Sequence, residues 1–411
     1  MAIFLQNNVN EKFGIIHILF AFTAFLEFAP YFIWHENWNI YYSFIIITTL
    51  VFFILLFSKK IILNKTGLQL AFIMMCIIFF YYYTGDEGTL RTFFRSIPLY
   101  LFIMLSVDDK RKVFKVFTYI FAISIIPGLL IYLMHQLGLD PGWSYLRALN
   151  PLKAESGTYY RQYFGAVKIF YPFSSELSGL YRFQGMFDEP GVLGTIAVLL
   201  LSGDNYKIKN NLKNIIILTG GILSFSFAFY VLSFVYFSIR KNYKFLIIIL
   251  ILYLLIAALN LNLTDNSFLD RYLFSRSEAF FSGNVFEQRM TQHARAVFHD
   301  FIRYSDFSTL LFGHGAGAAR GDPLMRASST VLLSIYNRGI LGLSLLVLFP
   351  LIYTLLINKT KTGIILLIIF FLSIYQRPNV LNLAYMTVFL GGLANLKYHW
   401  DYTKKTNSQE D

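Results

Sequence analysis

Residues 182–194 read Arg182-Phe183-Gln184-Gly185-Met186-Phe187-Asp188-Glu189-Pro190-Gly191-Val192-Leu193-Gly194. A tyrosine-rich polar stretch precedes them, and the apolar run Val192 to Leu201 follows without a break. An arginine and two adjacent carboxylates therefore stand at the mouth of an apolar helix. Charges at the edge of a membrane span are costly unless something uses them. Pro190 suits the first helical turn, where its missing N–H costs nothing. The helix dipole favours negative charge at Asp188 and Glu189. Asp188 reads as an acidic N-cap. Glu189 reads either as a cap or as a catalytic carboxylate.

Composition sets the surroundings of that segment. The chain has 411 residues, of which 56% are hydrophobic, 18% aromatic and only 14% charged. Soluble domains carry about 25% charged residues. Many separate apolar runs approach the ~20 residues of a membrane helix. The reading is one integral membrane domain over residues 1–411, all-α and polytopic, with no further soluble domain and a first span that is retained. The single cysteine, Cys76, excludes an intramolecular disulfide and a cysteine metal site. The net charge of +12 follows the positive-inside rule and does not point to nucleic acid.

Working outward, full spans are expected at about 13–28, 40–57, 68–83, 90–107, 113–137, 190–201, 245–261, 328–356, 363–375 and 380–396. Residues 214–239 lie between two basic clusters, Lys207 to Lys213 and Arg240 to Lys244. Both clusters read as cytoplasmic, so the segment must leave and return. Its length is too short for two full spans of ~20 residues each, which predicts two short helices turning near Ser224 to Ser226. The total is about twelve crossings with both termini cytoplasmic. Asp108 to Lys112 reads as a cytoplasmic turn, Pro127-Gly128 as a kink, and the tail from Lys397 as disordered. Lys and Arg gather on the inner side, whereas the short outer turns hold only Arg91 and Arg377.

Two large loops then face outward, at about 138–184 and 262–327. The first interleaves cations and aromatics, among them Arg147, Lys153, Tyr160 and Arg161, which suits either sugar stacking and phosphate binding or a loop resting on lipid headgroups. The second carries an amphipathic helix over 285–304, with Arg289 and His293 beside its apolar stripe, then Gly313-His314-Gly315-Ala316-Gly317. That glycine run reads as a flexible turn whose amides are suited to cradling a phosphate. His314 reads as a surface histidine or a second-choice base. Arg95, one turn deeper than Arg91, reads as an interface anchor or an anion holder. His293 and His299 face different ways, and no metal or cofactor is expected.

The layout resembles the O-antigen polymerase and ligase superfamily of bacterial inner membranes. Four features carry the resemblance: Arg182, Gly185, Phe187, Glu189 and Pro190 before a span; the short helices around Ser224; Arg289 followed by Leu311-Phe312-Gly313-His314-Gly315; and Gly339-Ile340-Leu341-Gly342. The Glu-Pro pair is similar to the polymerases. A ligase would show a histidine where Ser328-Ser329-Thr330-Val331 stands, and Asn337-Arg338 departs from the commoner residues before the glycine pair. The resemblance implies a GT-C-like, metal-independent glycosyltransferase with a periplasmic site. Donor and acceptor would be undecaprenyl-diphosphate-linked oligosaccharides, and a chain-length-determining co-polymerase would be the protein partner. Glu189 and His293 would be the catalytic groups. Arg182, Arg289, Arg95, Arg147, His314, Arg338, Tyr160 and Arg161 would bind substrate. The alternatives are a ligase acting on lipid A-core and, of another class, a lipid-linked-oligosaccharide flippase.

Overall fold

The computed structural model describes residues 12–83, 87–149, 151–155, 157–170, 181–245, 247, 251, 292–321, 331–376 and 381–407. The expected span 245–261 lies almost wholly outside them. So do Arg289, the first part of the second loop and the turn at 377–380.

In chain order, α1 (Ile15–Glu27) precedes two short 3-10 turns, Tyr31–Ile33 and His35–Asn37. Then follow α2 (Trp38–Phe57), α3 (Lys65–Tyr82), α4 (Glu87–Arg95), α5 (Ile97–Met104) and α6 (Val107–Gln136). Strand β1 (Ser144–Arg147), helix α7 (Pro151–Glu155), and strands β2 (Tyr159–Tyr163) and β3 (Ala166–Phe170) occupy the first expected loop. Helices α8 (Pro190–Gly203), α9 (Leu212–Leu223) and α10 (Phe227–Ile239) come next. After 292 come α11 (Gln292–Tyr304), α12 (Phe307–Phe312), α13 (Ala318–Gly321), α14 (Val331–Ile357), α15 (Lys361–Gln376) and α16 (Leu383–Asn407).

The protein is mostly helical, with apolar helices of a membrane-embedded chain. Among the described residues, α2, α3, α6 and α14 are long and apolar enough to cross a membrane, and five shorter apolar helices accompany them. The break expected near Ser224 is present, between α9 and α10. Several expectations change. The expected span 90–107 is broken at Ser96, because Pro98 sits in the first turn of α5 and lacks the N–H that a continuous helix would use. Asp108 to Lys112 is no turn but the first turns of α6, with the two aspartates at its N-terminus. Pro127 lies inside that 30-residue helix. The polar tail continues α16 as far as Asn407 instead of being disordered.

The all-α expectation also fails in the first loop, which holds a three-stranded antiparallel sheet in the order β1-β2-β3. Tyr160 pairs with Leu146 on one side and Ile169 on the other. Alternation along β2 turns Tyr160 inward, onto a small core with Trp34, Ala148 and Val167.

The chain forms two compact units that interleave in sequence. One comprises 1–11, 28–38 and 118–283; the other comprises 12–27, 39–117 and 284–411. Helix packing inside each uses small residues for close approach, the usual device where lipid removes the hydrophobic drive between helices. In the first unit, a Cβ on Gly194 would stand 2.5 Å from the Ser226 Cβ, so α8 is seated directly on the α9–α10 turn.

Candidate functional site

In the first unit, the segment 182–189 is pinned by backbone hydrogen bonds to three different elements. Phe183 N donates to Leu223 O at 3.0 Å, Val167 N to Gly185 O at 2.8 Å, and Tyr31 N to Met186 O at 2.9 Å. Phe183 and Phe187 are buried at 2% and 1% exposure, so they anchor the segment from below. Phe187 stacks on Phe121, with ring centroids 5.6 Å apart. These contacts anchor the backbone that presents the carboxylates that follow.

The two carboxylates divide their roles. The Asp188 side chain turns inward, accepts a short hydrogen bond from the Tyr160 hydroxyl, and lies 3.0 Å from Lys153 Nζ. It makes no cap on α8, so the acidic N-cap reading of Asp188 is corrected: its charge is committed to Tyr160 and Lys153. Glu189 is the N-cap residue by backbone, with Val192 N donating to its carbonyl at 3.0 Å, but its side chain makes no cap hydrogen bond. The Glu189 carboxylate stays 38% exposed, with Oε1 3.3 Å from Lys153 Nζ. It is thus a positioned, accessible carboxylate at a helix N-terminus, paired with a lysine.

Lys153, named from the sequence only as one of the loop's cations, turns out to be central to the site. It sits on α7, and its Nζ contacts Asp188, Glu189 and, at 3.2 Å, the Tyr160 hydroxyl. Its local sequence does not set it apart from the other cations of the loop; the fold of the sheet carries it across to residues far along the chain.

Arg182 is half-buried, and its Nε donates to Ser224 O at 3.3 Å, joining the segment to the α9–α10 turn. Arg161 lies between Trp143 and Phe170, 4.6 Å from each ring centroid. Arg147 is exposed on β1, and its carbonyl accepts from the His35 ring at 3.0 Å. Tyr160 is fully buried against Trp34 at 5.1 Å. Its ring is therefore unavailable for stacking on a sugar, and its part is to hold Asp188.

The second unit holds Arg95, His314 and Arg338. Arg95 Nε lies 3.7 Å from Glu27 Oε1 and donates to the Tyr41 hydroxyl at 3.3 Å. Glu27 is a buried carboxylate that also accepts from Ala384 N at 3.0 Å. Burying that charge requires a partner, so the anion held by Arg95 is an internal one. Arg338 is buried at 8% exposure and donates to the carbonyls of Tyr81 and Tyr83, both at 2.7 Å. In this arrangement Arg338 clamps the free carbonyls at the end of α3.

The glycine turn is committed in the same way. Gly339 interrupts α14 with φ 63° and ψ −167°, which leaves carbonyls before it without helical partners. His314 N donates to Tyr336 O, and Gly315 N to Asn337 O, both at 2.9 Å. Those amides are spent on the broken helix and do not cradle a phosphate. The His314 ring lies 4.7 Å from the Tyr336 ring and 5.1 Å from that of Phe301. His293 belongs to α11, but its side chain is outside the described residues, as is all of Arg289.

Replacing Arg338 with Lys is expected to cost about 2–4 kcal/mol of stability, because an ammonium lacks the planar fork that meets both carbonyls at once, and a buried acceptor left poorly paired is costly. Thermal unfolding of the detergent-purified variant measures this. An unchanged melting temperature with weakened substrate binding would restore Arg338 to the site.

No family model matches the chain, and no curated protein or solved structure matches it either.

Proposed function

We propose that this protein polymerises undecaprenyl-diphosphate-linked oligosaccharide repeats by glycosyl transfer at the periplasmic face of a bacterial inner membrane. The observation that carries the reading is Glu189: a half-exposed carboxylate on a rigid segment, at the N-terminus of an apolar helix, with Lys153 at 3.3 Å. It would accept the proton of the acceptor hydroxyl. The hydroxyl oxygen would bond to the anomeric carbon as the carbon–oxygen bond to the diphosphate breaks. The electron pair leaves with the carrier diphosphate, whose charge suits guanidinium and ammonium groups. Arg182, and Arg289 by the resemblance, are the arginines assigned to it. The reading includes about twelve crossings, both termini inside and both large loops outside.

The test is direct. Purified protein supplied with a single lipid-linked repeat is expected to yield a ladder of longer lipid-linked glycans without any membrane asymmetry. Product only when lipid A-core is added would make it a ligase, and no product with transfer across vesicles would make it a flippase. Because Cys76 is the only cysteine, a Cys76→Ser chain carrying one new cysteine in β1 or β3 also reports sidedness. Labelling from the cytoplasmic side only would overturn the assignment.

A further inference from the structure

We propose that the second unit binds an anionic phospholipid of the bilayer in a groove between α3 and α5. The groove has a volume of about 800 Å³, and its walls include Leu68, Phe72 and Met75 from α3, Phe93 from α4, and Ile97 and Leu101 from α5. Its shape follows from the helix lengths. Gly67 lets α3 touch α5, since a Cβ there would lie 2.8 Å from the Ile103 carbonyl. Helix α5 has only 8 residues, so it rises ~12 Å beside an α3 that is ~27 Å long. The face of α3 beyond the contact stays open, with Leu68 49% and Phe72 60% exposed.

Charge decides what fills it. Lys65 opens α3 one turn before Leu68, and Lys59 and Lys60 lie in the preceding loop; all three are exposed. Asn64 N donates to Met104 O at 3.2 Å, which ties that loop to the end of the groove. Among the described residues, the acids that follow Met104 are already engaged, Asp108 by Arg111 and Lys112 at 2.7 Å and Asp109 by His17 at 3.0 Å. Among the described residues, the three lysines at the mouth therefore present net positive charge. From Lys65 to Met75 the helix rises ~15 Å, half of a ~30 Å hydrocarbon core. The groove thus occupies one leaflet, the one whose headgroups meet the lysines. An acyl chain fits the apolar walls, and a phosphate without a compensating ammonium fits the lysines. A zwitterionic lipid offers the same chain but a weaker charge match.

Native mass spectrometry of the full-length protein with equimolar phosphatidylglycerol and phosphatidylcholine tests this. The phosphatidylglycerol adduct is expected to predominate about fivefold or more, in keeping with the attraction of even one lysine to an anionic surface. The triple variant Lys59→Gln, Lys60→Gln, Lys65→Gln is expected to lose that preference. Leu68→Trp, which fills the groove from an exposed position, is expected to reduce the adduct of either lipid. The pair Lys359→Gln, Lys361→Gln is expected to keep the preference. Equal retention of the two lipids by the unaltered protein overturns the proposal. So does a preference that survives the triple substitution, a Leu68→Trp variant that binds as before, or a preference lost in the Lys359 and Lys361 variant.

Discussion

Glu189→Gln is expected to slow chain elongation by about 10²–10⁴-fold, the usual contribution of a general base. The protein should still accumulate in the membrane, because the Glu189 side chain makes no cap hydrogen bond and stays 38% exposed. Its backbone, which does cap α8, is unchanged by the substitution. Lys153→Met should have a smaller effect on rate and a larger one on stability. Lys153 also neutralises the less exposed Asp188, and removing one partner of a partly buried pair leaves the other charge uncompensated. Arg182→Ala and Arg289→Ala are expected to abolish long polysaccharide as well. Elongation of lipid-linked repeats by purified variants measures all of these, with glycan ladders from cells as the second readout. A Glu189→Gln protein that builds normal ladders would remove Glu189 from the chemistry and reduce it to a helix terminus.

Gly339→Ala is expected to destabilise the second unit by about 3–5 kcal/mol. With φ 63° and ψ −167°, Gly339 occupies a backbone region open essentially only to glycine. A Cβ there would lie 2.2 Å from Leu311 O, which is main chain and cannot step aside. From the other strand of this crossing, a Cβ on Gly313 would lie 2.4 Å from Arg338 N. The two glycines thus let one backbone lie across another. Gly317→Ala is the comparison. Gly317 has φ 79° with open space around it, so only the left-handed backbone cost of about 1–2 kcal/mol remains. Thermal unfolding of both variants in one detergent checks the difference. Equal losses would mean that the crossing at Gly339 is not the tight contact described.

The site was legible in part. Residues 182–194 declared themselves because charge, glycine and proline meet an apolar run, a juxtaposition that needs no neighbours to be seen. The two short helices followed from charge parity and length. The partners of Arg338 were not legible, because an arginine beside a glycine pair reads alike whether it grips a ligand or a carbonyl; the carbonyls of Tyr81 and Tyr83 that it holds come from a distant helix end. The partner of Arg95 was hidden for the same reason, its counter-charge Glu27 being distant in the chain. The glycine turn at 313–317 offered amides to any acceptor, and the acceptors came from a helix broken at Gly339.

Hydropathy, length and charge alone showed that the chain is built from apolar helices suited to lipid, where the helix break near Ser224 falls, and which segment brings two carboxylates to a helix mouth. These are local properties: hydropathy, length, and the conformational limits of proline. The tertiary structure alone decided that residues 144–170 fold as a sheet, and that this sheet buries Tyr160 and sets Lys153 against Asp188 and Glu189. The reason is physical. A salt bridge or a buried hydroxyl depends on distances between residues far apart in the chain, and no local pattern encodes those distances.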